Sequence, residues 1–173
     1  MRTLSFLIAF LLVVTQTSAQ PESDRSYFDF LIGTWKADSS FSHGRAWKGG
    51  KDVYNFEKAI KEGGIISNWL FNRGNDSIAN YTNGRCLMGF DNLTKQWSFY
   101  FISPTSAHLF EARKENDNWI FYKDFNINNQ KFTQRQYWVK AGDKKIKRVV
   151  ESSFDNGLTW SPVYMITLIR DDR

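Results

Sequence analysis

From Gly33 to Arg170 the chain alternates apolar and polar residues in short runs separated by Gly, Asn and Asp. A period of two sends successive side chains to opposite faces of an extended backbone, so each run predicts a β-strand. Ten strands are expected, at Gly33–Phe41, Asp52–Lys61, Ile65–Asn72, Gly84–Asp91, Gln96–Ser103, Ala107–Lys114, Trp119–Asn126, Lys131–Lys140, Lys144–Phe154 and Thr159–Arg170. Connectors such as Glu62-Gly63-Gly64, Asn128-Asn129-Gln130 and Ala141-Gly142-Asp143 are of hairpin length and rich in turn formers. Pro162 predicts a bulge or an edge position, because proline has no N–H to give to a ladder.

Ahead of the first strand, Tyr27–Ile32 is a short apolar lead-in that predicts one helical turn. Strands joined by hairpins form an up-and-down meander, which has two unpaired edges unless the sheet closes. The expected fold is therefore all-β: an antiparallel barrel of about ten strands with a short N-terminal helical turn. No element repeats at a fixed period, which argues against a propeller or a solenoid. Trp97, Phe99 and Phe101 lie on one face of their strand, Tyr100 and Ile102 on the other. Such a strand calls for a filled or ligand-bound interior and for some cover outside, and a homodimer partner could supply the latter.

The N-terminus changes the picture by assigning a compartment. Arg2, the apolar run Leu4–Val14 and the small residues Thr17-Ser18-Ala19 follow the order of a secretory signal. A membrane-spanning helix needs about 20 apolar residues, and this run is too short. Residues 1–19 are therefore expected to be a signal peptide cleaved near Ala19, with residues 20–173 a single exported domain, periplasmic or extracellular. No second long apolar stretch follows, so stable membrane insertion is not expected. The formal net charge of +5 includes Arg2, and most basic residues are scattered. The denser run Lys144-Lys145-Ile146-Lys147-Arg148 follows a Gly-Asp turn and reads as a solvated hairpin end, so no nucleic-acid partner is expected. Cys86, the single cysteine, cannot form an internal disulfide and reads as a buried core thiol. Asn75, Asn80 and Asn92 begin Asn-x-Ser/Thr triplets, which matter only in a host that glycosylates.

Phe28-Asp29-Phe30-Leu31-Ile32-Gly33-Thr34-Trp35 is the most informative segment. An apolar turn followed by Gly-x-Trp could plug one end of a barrel. This segment resembles the start of calycin barrels (lipocalins, fatty-acid-binding proteins and nitrobindin-like proteins), and more closely a group of exported bacterial lipocalin-like domains of unknown function. The resemblance implies that Arg170, near the end of the last strand, packs over Trp35 as a structural cation–π cap. Nitrobindin-like barrels hold haem through a histidine late in the chain; no histidine follows His108 here, and no cofactor or metal is expected.

Ser153-Phe154-Asp155-Asn156-Gly157-Leu158-Thr159-Trp160 fits the Asp-box pattern. Asp155 can accept from turn amides, Gly157 can take positive φ and Trp160 can pack over the hairpin, which makes it a structural turn. Motifs for a nucleophilic serine, a zinc protease, paired Cys-x-x-Cys or a phosphate loop do not occur. The remaining candidates are charged or polar residues embedded in strands: Tyr100, His108, Glu111, Arg113, Arg135 and Glu151. Glu111 and Arg113 share a face, as do Arg135 and Tyr137, while Arg148 and Glu151 lie on opposite faces. Turned inward, Arg135, Glu111 and Arg113 would anchor a polar head in an aromatic pocket; turned outward, they would sit in water, since a shift of one residue swaps the faces. Three functions follow: binding of a small apolar or amphipathic molecule, acid–base catalysis in the same cavity using His108, Glu111, Tyr100, Arg135 and Glu151, or a homodimeric interaction module in the envelope.

Overall fold

The computed structural model describes residues 24–48, 52–72 and 81–172. The signal segment, Asn75 and Asn80 lie outside them. Two 3-10 turns, Asp24–Ser26 and Asp29–Leu31, precede eleven antiparallel strands. These are β1 (Gly33–Ser42), β2 (Arg45–Lys48), β3 (Val53–Ile60), β4 (Gly64–Asn72), β5 (Tyr81–Asp91), β6 (Gln96–Ser103), β7 (Ser106–Glu115), β8 (Asn118–Ile127), β9 (Gln130–Gly142), β10 (Lys145–Ser153) and β11 (Ser161–Arg170).

Ten of them form a closed up-and-down barrel. From β3 to β11 each strand pairs with the next. β1 then closes the circle, with β3 on one side at Gly33–Lys36 and β11 on the other from Trp35↔Arg170 to Ser42↔Tyr164. The eleventh strand, β2, lies between the first two strands that the sequence predicts, Gly33–Phe41 and Asp52–Lys61. It folds back on the second half of β1 through a two-residue turn in which His43 and Gly44 both have positive φ (47° and 81°). That is the twist a tight hairpin needs; histidine there carries a weaker turn signal than asparagine or glycine. β10 and β11 shift register between Val150 and Glu151, which faces Pro162, where the sequence predicts a bulge.

The lead-in turn plugs one end. Phe28 packs edge-on to Trp97 (5.1 Å) and stacks on Phe121 (5.4 Å). Two indole N–H groups hold the plug: Trp35 Nε1 donates to the Leu31 carbonyl at 2.6 Å and Trp97 Nε1 to that of Asp24 at 2.7 Å. Arg170 sits over the Trp35 ring at 5.4 Å and donates to the Ile32 carbonyl at 3.0 Å. Gly33, at φ +130°, makes this approach possible, because a Cβ there would lie 2.9 Å from Arg170 Nη2. The plugged half is filled with side chains. Trp35, Tyr54, Phe56, Trp97, Phe99, Phe121 and Trp138 are all 2% exposed or less.

Candidate functional site

Strand alternation decides which charged residues see the interior, and most of the sequence candidates face outward. Tyr100 is 40% exposed, and Glu111 is exposed on the outer wall. Arg113 lies 4.8 Å above the outer face of Tyr122. Arg135 donates from Nε to Glu151 Oε2 at 2.7 Å while its guanidinium stacks 4.1 Å from the Trp160 ring. Tyr122 closes the group by donating to Glu115, and burial pushes its hydroxyl up to about 12. The inward orientation considered for Arg135, Glu111 and Arg113 is not the one adopted: Gln136 and Trp138, their β9 neighbours in alternation, fill the inner face instead.

The Asp-box explains why this outer ladder is ordered. Asp155 accepts from Thr159 N (2.9 Å), Thr159 Oγ1 (2.5 Å) and Ser153 Oγ (2.7 Å), and Gly157 turns at φ 90°. These bonds, Thr159 first, hold the Asp155 carboxyl down at about 2. The closed turn lays Trp160 against Tyr122 at 5.9 Å.

Of the six candidates only His108 faces inward. Its ring meets Phe125 at 5.1 Å and Phe110 at 6.3 Å, and burial, then the Lys123 charge, lowers its pKa below the ordinary histidine value. Tyr100, Glu111, Arg135 and Glu151 do not converge with it on one pocket. Among the described residues no group of three His, Cys, Asp or Glu side chains could hold a metal ion, and no helix is long and apolar enough to cross a membrane.

The interior does contain a charged centre, contributed by Arg148, which ends the basic run expected to be a solvated hairpin end. On β10, Lys145 and Lys147 alternate with Ile146, Arg148 and Val150, and the second set faces inward. Arg148 is half-buried. It donates to Gln136 Oε1 from Nε at 3.2 Å and from Nη2 at 2.6 Å. Its guanidinium lies over three rings: Trp69 at 4.5 Å, Trp138 at 5.5 Å and Tyr164 at 5.6 Å. No carboxylate of the described residues forms an ion pair with it. The hydroxyls of Tyr54 and Tyr164 meet at 3.2 Å, and burial raises both pKa values, so both are neutral at physiological pH.

Further donors and the walls complete the cage. Trp69 Nε1 donates to Ser67 at 2.9 Å, whereas the N–H of Trp138, 1% exposed, has no acceptor among the described residues. Leaving such a group unpaired costs about 1–3 kcal/mol. Cys86 faces the same interior, paired with Ser67 across β4 and β5, and burial pushes its thiol up to about 12. Phe71 and Phe101 flank Trp69 at 5.9 Å and 5.2 Å. Gly84 allows both, since a Cβ there would come within 2.7 Å of Phe101 and 3.1 Å of Phe71. The signal for Arg148 was present in the sequence as an arginine on the apolar face of an alternating strand; the lysines beside it concealed it.

Fold and site together define a class: a closed antiparallel barrel, plugged at one end and carrying a half-buried cation among its interior aromatic rings, consistent with a lipocalin- or calycin-like fold. No protein-family model matches the chain, and no curated protein matches it.

Proposed function

We propose that the protein is an exported barrel, akin to the bacterial lipocalin-like domains its N-terminal segment resembles, that binds a small amphipathic molecule with an anionic head. One observation carries this reading: Arg148 is held inside an aromatic cage and is balanced there by an amide, not a carboxylate. A buried or half-buried cation without an anionic partner is costly, and a ligand's acid group would relieve that cost through charge-assisted hydrogen bonds. The Trp138 N–H, which has no acceptor among the described residues, belongs to one of the rings under the Arg148 guanidinium. Neutral Tyr54 and Tyr164 can donate to an acid without repelling it.

The purified protein, incubated with a mixture of lipids and aromatic metabolites and examined by native mass spectrometry, should retain anionic amphipaths. The Arg148→Gln variant should release them while keeping its circular dichroism spectrum. Equal retention by both proteins, or no adduct on either, would sink the proposal.

A homodimeric module is the second reading, favoured by one outer-wall feature. Ile66, Leu87, Tyr100 and Leu109 pair in register across β4 to β7 and are 38%, 50%, 40% and 53% exposed. Light scattering tests it directly: a strictly monomeric protein at micromolar concentration rules it out.

A further inference from the structure

Two asparagine–glycine pairs occur in the chain, Asn83-Gly84 and Asn156-Gly157. Such a pair is chemically labile. The glycine amide nitrogen, once it has lost its proton to a solvent base, attacks the asparagine side-chain carbonyl. The new N–C bond closes a succinimide ring, and the Cγ–Nδ2 bond breaks to release ammonia. Water then opens the ring at either carbonyl and leaves aspartate or isoaspartate. Glycine favours the attack because it has no side chain to hinder the approach.

The two pairs have different settings. Asn83 and Gly84 lie within β5, in register with Leu70 and Trp69 of β4, and Gly84 packs under Phe101 and Phe71. Asn156 is exposed in the β10–β11 turn, outside any strand, at φ 58°. No ladder holds it. The Gly157 nitrogen is held instead by a single hydrogen bond, its N–H donating to Ser153 Oγ at 2.7 Å. Ser153 is 1% exposed, and its own hydroxyl donates to Asp155 Oδ1 at 2.7 Å, which leaves an oxygen lone pair for Gly157. Asp155 is fixed in turn by the amide and hydroxyl of Thr159. The reacting nitrogen therefore keeps its proton while a buried hydroxyl, oriented by a carboxylate, accepts it. The negative charge of that carboxylate also opposes the deprotonation that the attack requires.

We propose that Asn156 is a modification site, a deamidating asparagine whose reaction with Gly157 is gated by the Ser153 hydroxyl. The reaction needs only water and a solvent base, and it is independent of any ligand in the barrel. Its product acts on the outer wall. Isoaspartate routes the main chain through Cγ, which lengthens the turn and parts Gly157 from Ser153. Trp160, which this turn lays against Tyr122 at 5.9 Å and beneath Arg135 at 4.1 Å, then loses its support. Deamidation of one exposed residue thus loosens the strap over the Arg135–Glu151 ion pair.

The intact protein, kept at pH 8 and digested at intervals, can be followed by peptide mass spectrometry that separates aspartate from isoaspartate at both pairs. Asn156 should convert at least about tenfold more slowly in the folded protein than in the same chain held in guanidinium. Ser153→Ala should convert Asn156 about fivefold to tenfold faster than the parent, the factor lost with one such hydrogen bond. Asn83 should stay intact in both folded proteins, which marks the release as local. Equal rates in folded and unfolded chains, no acceleration in Ser153→Ala, or acceleration of Asn83 in step with Asn156 overturns the gate. Parent protein converted at Asn156 and isolated by anion exchange should unfold at a lower urea concentration; an unchanged midpoint overturns the effect on the strap.

Discussion

Arg148 meets Gln136 through two hydrogen bonds to one amide oxygen, 2.6 and 3.2 Å long, where a glutamate in the same place would have formed a closed ion pair. The amide orients the guanidinium without neutralising it, so its charge remains available to a ligand. Gln136 is 1% exposed and differs from glutamate by a single group. Gln136→Glu should therefore retain the fold and lower affinity for anionic amphipaths at least tenfold, because the ligand must compete with an internal carboxylate. Titration calorimetry beside circular dichroism checks it; unchanged affinity would show that Arg148 is not the head site.

Closure of the barrel depends on a pair that is cross-strand and stacked at once, Trp35 and Arg170. Gly33→Ala would place a Cβ 2.9 Å from Arg170 Nη2 at a φ of +130°. A residue forced into such a conformation costs about 1–3 kcal/mol, and the clash adds to it. Chemical denaturation should show a loss of that order, larger than the loss from Arg170→Ala. That variant removes one cation–π contact and one hydrogen bond, worth about 1–2 kcal/mol together, and a loose exposed ion pair with Asp172 that adds little. The reverse ranking would mean that the glycine does not serve the cap.

Asp155 ties the β10–β11 turn through bonds that favour its ionised form. A carboxyl lowered from about 3.9 in the unfolded chain to about 2 in the fold contributes stability that is complete above the unfolded value. That contribution is lost as pH falls through about 2. Asp155→Ala should be less stable than the parent at pH 7, with the gap narrowing below pH 4 in urea melts. A gap that stays constant down to pH 2 would count against the assignment.

Cys86 is 2% exposed, and its thiol is pushed up to about 12 by burial. A thiol so far from ionising is a poor nucleophile at neutral pH. The native protein should react negligibly with a disulfide reagent at pH 8 over an hour and give one equivalent in guanidinium. Rapid native labelling would show that the barrel opens to its centre on that time scale.

Hairpins were readable in the chain because they depend on local chemistry, and closure because an open meander leaves two unpaired edges. Asn128 and Asn129, at φ 52° and 64°, are turn residues by composition and by conformation. The apolar turn at Phe28 to Leu31 could only be hidden by capping a barrel end. The site was harder to read. Arg135 and Arg148 are both arginines in alternating strands, yet one stacks on Trp160 outside and the other lies over Trp69 within.

The sequence by itself determined the strands, their turns and the antiparallel meander, since these follow from a period of two and from residues suited to tight turns, whereas the packing of Arg170 over Trp35 was implied only by the resemblance to calycin barrels. Only the tertiary structure decided which face of each strand is the inside. That choice depends on register around a closed sheet: shifting one strand by one residue exchanges every inward and outward side chain, and local alternation is the same in either case. Closure placed Arg148 with Gln136 in the interior and left Arg135 and Glu151 to pair on the outer wall.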